Sequence, residues 1–294
     1  MKIQLLGTGT PTPSLERMSA GYMIRIGGDV ILFDHGSGAY HRMLQAGVLP
    51  TQVTHLFFSH LHYDHCVDYA RLLLTRWDQG ANKIPELKVY GPPFIERMTE
   101  LLFSPEGVFG PDLTARTELK LSQDIYEARG GVLPRPWPAP QVTELRSGSM
   151  VEENGWKVRA ISVPHAQPTL VCLAFRLDSP QGSFCYSGDC GPSKALVELA
   201  QGCDVLVHMT HYLSGTELSP ELARTCGGHL EVAQAGRDAQ VKNLVVSHST
   251  EQMNVPGVRE RVIREMSEIY KGNLFFGEDL MEIPVDAPQA AKLD

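Results

Sequence analysis

Between residues 60 and 65 the chain reads His60-Leu61-His62-Tyr63-Asp64-His65, four metal-competent side chains in six positions. They follow Val53 to Phe58, an apolar run rich in aromatic and β-branched residues that reads as a buried strand. The bland alternative is a surface loop rich in His by chance, and it is outweighed because the same residue types recur in the same setting later in the chain. A loop at the strand's end turns His60 and His62 to one side while Asp64 and His65 open the next helix. Imidazole with carboxylate suits zinc, and also manganese or iron. The feature therefore asks for a scaffold whose buried strands deliver loops to one common edge.

Three later positions repeat the setting. His165 follows Val163-Pro164, Asp189 follows Ser187-Gly188, and His248 stands in Ser247-His248-Ser249-Thr250. Each lies just past an expected strand, at the end where α/β proteins place their chemistry. Alone, each is more often a structural residue. As a set with the first cluster they read as ligands.

The pattern along the chain is short strands, tight turns and following helices. Strands are expected at Ile3 to Leu6, Tyr22 to Ile26 and Val30 to Phe33, the latter two joined across Gly27-Gly28-Asp29. A helix follows near Tyr40 to Gln45, and another runs from about Asp64 to Trp77. After a strand at Leu87 to Tyr90, residues 94–140 depart from the pattern. They begin as a helix over Phe94 to Phe103, continue with many turn residues and end in the Pro-rich stretch from Val132 to Pro140. This segment reads as an inserted flap lying over the domain. The first pattern then returns, with strands at 157–163, 171–177, 183–186, 205–208, 244–247 and 274–276. Helices are expected at Pro192 to Gln201, His229 to Ala239 and Pro256 to Tyr270. Residues 287–294 read as a loose tail. Strands clustered in each half with helices after them suggest two α/β halves stacked sheet on sheet in a single domain.

A length of 294 residues accommodates such a domain, and a net charge of −8 argues against a protein whose main task is gripping nucleic acid. The six cysteines form no CxxC pair. No signal peptide is evident and no apolar run reaches the length of a membrane span. The expectation is a cytoplasmic protein with reduced thiols and no membrane partner. Cys66 and Cys190 adjoin proposed ligands and read as small buried side chains behind the site, with a thiolate ligand as the alternative. His35, His41 and His55 lack a partner pattern and read as structural or surface residues.

His60, His62, Asp64 and His65 complete the HxHxDH signature of the metallo-β-lactamase superfamily, and His165, Asp189 and His248 match its later motifs. The chain resembles that family over nearly everything except 94–140. The resemblance implies an αββα four-layer sandwich. It implies two divalent ions, zinc before manganese or iron. One sits on His60, His62 and His165, the other on Asp64, His65 and His248, with Asp189 shared. It implies a hydrolase in which a metal-bridging hydroxide is the nucleophile and Asp64 orients it. Asp34 matches an aspartate that supports the ligands, with helix capping as the alternative.

Within the family, the GTGTPTP start and the layout of the second half look most like the ribonuclease Z branch. That branch carries an HEAT motif and a GHST motif, and here these stretches read His208-Met209-Thr210-His211 and Gly228-His229-Leu230-Glu231. His229 matches the catalytic histidine, with a structural role at a helix start as the alternative. Met209 replaces the glutamate that orients it, and His211 stands nearby as a substitute. Only 24 positions separate His165 from Asp189, which leaves no room for a tRNA-gripping arm.

The flap carries Phe94, Phe103, Phe109, Tyr126 and Trp137, which suits a small organic substrate. Its Arg116, Lys120, Arg129 and Arg135 read as a solvated face, with anion recognition as the alternative. The expected activity is therefore hydrolysis of a small phosphodiester, sulfate ester, carboxylic ester or lactone. The alternatives are a tRNA 3′-processing endonuclease, with nucleic acid as partner, and a metal-bound sensor with little turnover. A homodimer is expected by analogy with the branch.

Overall fold

A computed structural model describes residues 1–286; the tail expected at 287–294 lies outside the described residues. The chain opens with strands β1 (Lys2–Gly7), β2 (Gly21–Ile26) and β3 (Asp29–His35), then helix α1 (Ala39–Gln45) and β4 (His55–Phe57). Two helices, α2 (Tyr63–Cys66) and α3 (Tyr69–Gly80), precede β5 (Lys88–Gly91). Helices α4 (Ile95–Phe103), α5 (Gly110–Glu118) and α6 (Lys120–Ala128) lead to β6 (Gln141–Glu144). The second half holds β7 (Met150–Glu153), β8 (Trp156–Ser162), β9 (Leu173–Ser179) and β10 (Gly182–Tyr186). Then come α7 (Lys194–Ala200), β11 (Val205–Met209), α8 (Pro220–Thr225), α9 (His229–Asp238) and β12 (Asn243–Ser247). Helix α10 (Val258–Ile269), β13 (Asn273–Phe276) and β14 (Glu282–Ile283) close it.

The strands form two seven-stranded mixed sheets, ordered β14-β1-β2-β3-β4-β5-β6 and β13-β12-β11-β10-β9-β8-β7. In the first, β3 to β6 run parallel; in the second, β10 to β13 do. Because side chains alternate along a strand, each central strand feeds two cores. In β3, Ile31 and Phe33 face the space between the sheets, while Val30 and Leu32 face the outer helices. In β12, Val245 points inward and Leu244 and Val246 pack outward against α7, α9 and α10. Both strand faces are covered, which explains why these runs read as continuously apolar. The result is the αββα sandwich, and the parallel strands deliver their C-terminal loops to one edge.

Three expectations change in detail. The helix expected over 64–77 breaks at Val67-Asp68, because the Asp68 carboxylate accepts from the backbone N–H groups of Gly38 and Tyr40 while its own N–H donates to the His35 carbonyl. The segment 94–140 is largely a helical crossover between the parallel neighbours β5 and β6, and only its start, at Phe94 and Met98, shares a cavity wall with Leu61. Phe103, Phe109 and Trp137 pack into the layer outside the first sheet, against Tyr69 and Leu72. The four cations singled out in this segment are paired with carboxylates. Arg116, Arg129 and Arg135 all reach the Asp78 carboxylate on α3, and Lys120 pairs with Asp124. Pro192 also precedes its helix, at whose start Ser193 Oγ accepts from the Leu196 N–H.

Candidate metal centre

The expected ligands arrive from strand ends and the loops just beyond them, except Asp64 and His65, which lie on the short helix α2 that follows β4. Ser59 and His60 follow β4, His165 follows β8, Asp189 follows β10 and His248 follows β12. The approach is tight. A side chain on Gly188 would meet the Leu173 carbonyl at 2.5 Å, and its φ of +57° also favours glycine. Asp34 and His248 adopt left-handed backbone at φ 55° and 53°, a strain that the surrounding hydrogen bonds and packing must hold in place.

His60, His62, His165 and Asp189 form one group whose ligand atoms all lie within 4.8 Å of one another, and Asp64, His65 and His248 form a second. In the second group the spacings are nearly uniform. His65 Nε2 is 3.2 Å from His248 Nε2 and 3.4 Å from Asp64 Oδ2, and His248 Nε2 is 3.3 Å from Asp64 Oδ2. In the first, His62 Nδ1 is 2.9 Å from His60 Nε2 and 3.4 Å from His165 Nε2. Bonds of 2.0–2.1 Å to a tetrahedral zinc imply ligand–ligand edges of about 3.3 Å. Asp189 serves both groups: Oδ1 faces His65 at 3.4 Å and His248 at 3.5 Å, and Oδ2 faces His165 at 3.4 Å. Its Oδ1 is buried without a hydrogen-bond partner. A buried carboxylate oxygen ringed by imidazole nitrogens at coordination-edge distances fits a divalent cation.

The far sides of three imidazoles, those of His60, His65 and His165, are fixed by hydrogen bonds. His65 Nδ1 donates to Asp34 Oδ2 at 2.7 Å, and His165 Nδ1 donates to the Thr225 carbonyl at 2.9 Å. Ser59 Oγ accepts from His60 Nδ1 at 3.0 Å and passes its own proton to Asp34 Oδ2 at 2.6 Å. These partners leave the Nε2 lone pairs of His60, His65 and His165 facing the centre, the tautomer a ligand requires. Tyr186 adds a third hydrogen bond to Asp34 Oδ2, and burial, then the Asp34 charge, pushes its pKa far up, so it remains a donor. Burial, then neighbouring imidazoles, lowers His60 and His62 and keeps both rings neutral. At Asp189 burial acts to raise the pKa, but the nearby imidazoles of His248 and His65 outweigh it and keep the carboxylate ionised.

The residues around this core sort clearly. Met209 is buried, and its sulfur accepts the backbone N–H of Cys190, the residue after Asp189. His211 lies with its ring 6.1 Å from that of His248, and its Nδ1 is buried without a partner. His229 is not drawn into the cluster. Its Nδ1 accepts from the Ser214 N–H at 3.0 Å and its Nε2 donates to Glu265 at 2.8 Å, so both nitrogens are occupied elsewhere. Cys66 and Cys190 donate to the carbonyls of His62 and Gly191, and burial pushes the Cys66 thiol up to about 12, so neither offers a thiolate. His35 and His55 are buried and His41 is exposed. The partners not singled out from sequence are Ser59, Tyr186 and the Thr225 carbonyl. Only Ser59, directly before His60, carried a local signal.

Known proteins resemble this chain in sequence and fold. The family profile described as beta-lactamase superfamily domain matches residues 29–248. Ribonuclease Z of Mycobacterium avium (strain 104) is 31% identical, across 98% of this chain and 99% of its own. The metallo-beta-lactamase fold protein YhfI from Bacillus subtilis superposes with a TM-score of 0.74 at 15% identity, covering 96% of this chain and 98% of that one. The short form of human tRNase Z superposes with a TM-score of 0.68 at 19% identity, covering 98% and 100%. The chain belongs to the beta-lactamase superfamily, in its ribonuclease Z-like branch, and is a metal-dependent hydrolase acting on ester bonds.

Proposed function

We propose that the chain hydrolyses phosphodiesters with two divalent ions, one held by His60, His62 and His165, the other by Asp64, His65 and His248, with Asp189 between them. The observation that carries this reading is the meeting of both ligand groups on Asp189, whose two oxygens face opposite groups. Similarity to a relative named Ribonuclease Z, end to end, supports the phosphodiester as the bond. Zinc suits the mixed imidazole and carboxylate set, and manganese or iron is the alternative load.

When bound, such a pair supplies Lewis acidity and acidifies water near neutral pH. The chain's own residues supply orientation. Asp34 sets the tautomer of His65 directly and of His60 through Ser59. Asp64, whose Oδ2 is 3.3 Å from His248 Nε2, would help hold the second ion and orient a water bound there. His211, at the edge of the cluster, is better placed than His229 to meet a leaving oxygen. The homodimer belongs to this reading by analogy and is checked by light scattering.

The similarity favours an RNA 3′ phosphodiester. A second reading, a smaller ester, is favoured by what stands in the arm's place: β9 and β10 fill the interval between His165 and Asp189. Metal-loaded protein incubated with precursor tRNA, bis(p-nitrophenyl) phosphate, aryl esters and lactones separates the two. Specific 3′ cleavage of the tRNA supports the first reading. Turnover of the small diester with intact tRNA supports the second. No turnover of any of them overturns both.

A further inference from the structure

A cavity of about 580 Å³, within the range of small-ligand pockets, is walled partly by residues that neighbour the ligands in sequence. Its lining includes Leu61, Pro92, Phe94, Met98, Leu170 and Val171, and no lining side chain is charged. Leu61 stands between His60 and His62, and Leu170 and Val171 follow the loop that carries His165. The wall is thus continuous along the chain with ligands from both halves. A sugar–phosphate backbone would find no cation in this lining; Arg116, Arg129 and Arg135 are committed to Asp78, and Arg97 is paired with Glu100.

Phe94 is the unusual member. Its φ is +86°, a left-handed conformation unfavourable for a residue with a side chain, and it leaves 56% of the residue exposed. Its N–H is held by Glu144 Oε1 at 2.7 Å, which fixes the backbone in this state. Among the described residues Phe94 makes no ring contact with another aromatic, unlike Phe103 and Phe109 deeper in the crossover. Backbone strain and an exposed apolar ring are two costs without a packing return, and such costs concentrate at ligand sites. A proline surface, a flexible thioether and an unstacked phenyl face together suit a flat π-system.

We propose that this cavity seats a planar aromatic ring attached to the scissile ester, with Phe94 as its stacking surface and Met98 as its edge. The ring could be an aryl group of a small ester or a nucleobase beside an RNA phosphodiester; the chemistry of recognition is the same. The proposal rests on the phosphodiester reading above only for the position of the reacting bond.

The test uses the metal-loaded protein with ¹³C-methyl-labelled methionine and three non-reacting probes: methylphosphonate, phenylphosphonate and uridine 5′-monophosphate. The Met98 signal is assigned with Met98→Leu. At least one ring-bearing probe should bind about tenfold tighter than methylphosphonate and shift the Met98 methyl. The ring-bearing probe that binds tighter identifies the source of the ring. Phe94→Gly removes the ring while suiting the backbone conformation, so it should fold and lose most of the preference. Equal binding of all three probes with a still Met98 signal overturns the proposal. A responding Met98 without phosphodiester turnover would overturn only the function reading, and turnover with a silent Met98 only this one.

Discussion

Asp34 Oδ2 stands 2.7 Å from His65 Nδ1, and the same carboxylate reaches His60 through Ser59 Oγ. One buried side chain therefore orients an imidazole in each ligand group. Asp34→Asn should weaken both metals together, by about 10- to 100-fold in affinity. Competition with a zinc chelator, followed with circular dichroism to confirm folding, measures this. Weakening of one ion alone would show that the link through Ser59 has no effect.

His229 bridges the Ser214 N–H and the Glu265 carboxylate. His229→Asn should lower stability by about 1–3 kcal/mol, because a buried hydrogen-bonding network loses its centre. Activity on a reactive diester should stay within about tenfold of the parent. A loss of about a hundredfold or more at unchanged melting temperature would restore the catalytic role that the resemblance implies.

The guanidinium of Arg135 lies 3.7 Å from the Trp77 ring centroid and 2.8 Å from Asp78, and its side chain is almost wholly buried. Asp78→Ala leaves that cation without its carboxylate. The expected cost is about 2–4 kcal/mol, read as a lower denaturant midpoint. An unchanged midpoint would show that the crossover is anchored by its apolar contacts alone.

His208 is fully buried, and burial pushes its pKa down to about 4. An unfolded histidine titrates near about 6.5, so the unfolded chain takes up this proton first. The His208 contribution is complete above about pH 6.5 and is lost as pH falls toward 4. His208→Asn should flatten the melting-temperature profile between those limits in metal-free protein. A profile as steep as the parent's would assign the dependence to other groups.

Much of this was legible because the signals were local. Val30 to Phe33 and Leu244 to Val246 read as strands since both faces of each are buried and apolar. The six-residue ligand cluster needed no tertiary information. What failed to show depended on partners distant in sequence. β6 and β14 are short strands at sheet edges, defined by pairing with β5 and β1. Helices α5 and α6 were hidden by Gly107, Gly110 and Pro111, which look like a loop but lead into helix. His229 matched a motif, yet its partner Glu265 lies 36 residues away. A backbone carbonyl such as that of Thr225, which orients His165, has no side-chain signature.

The central claim is that seven side chains hold two ions through a shared Asp189, and metal stoichiometry tests it most directly. Protein loaded with zinc and freed of excess should carry two ions per chain by mass spectrometry of the intact species, and Asp189→Ala should disturb both. Anomalous scattering should place one ion among His60, His62 and His165 and the other among Asp64, His65 and His248. One ion per chain, or a second ion away from Asp189, would contradict the account.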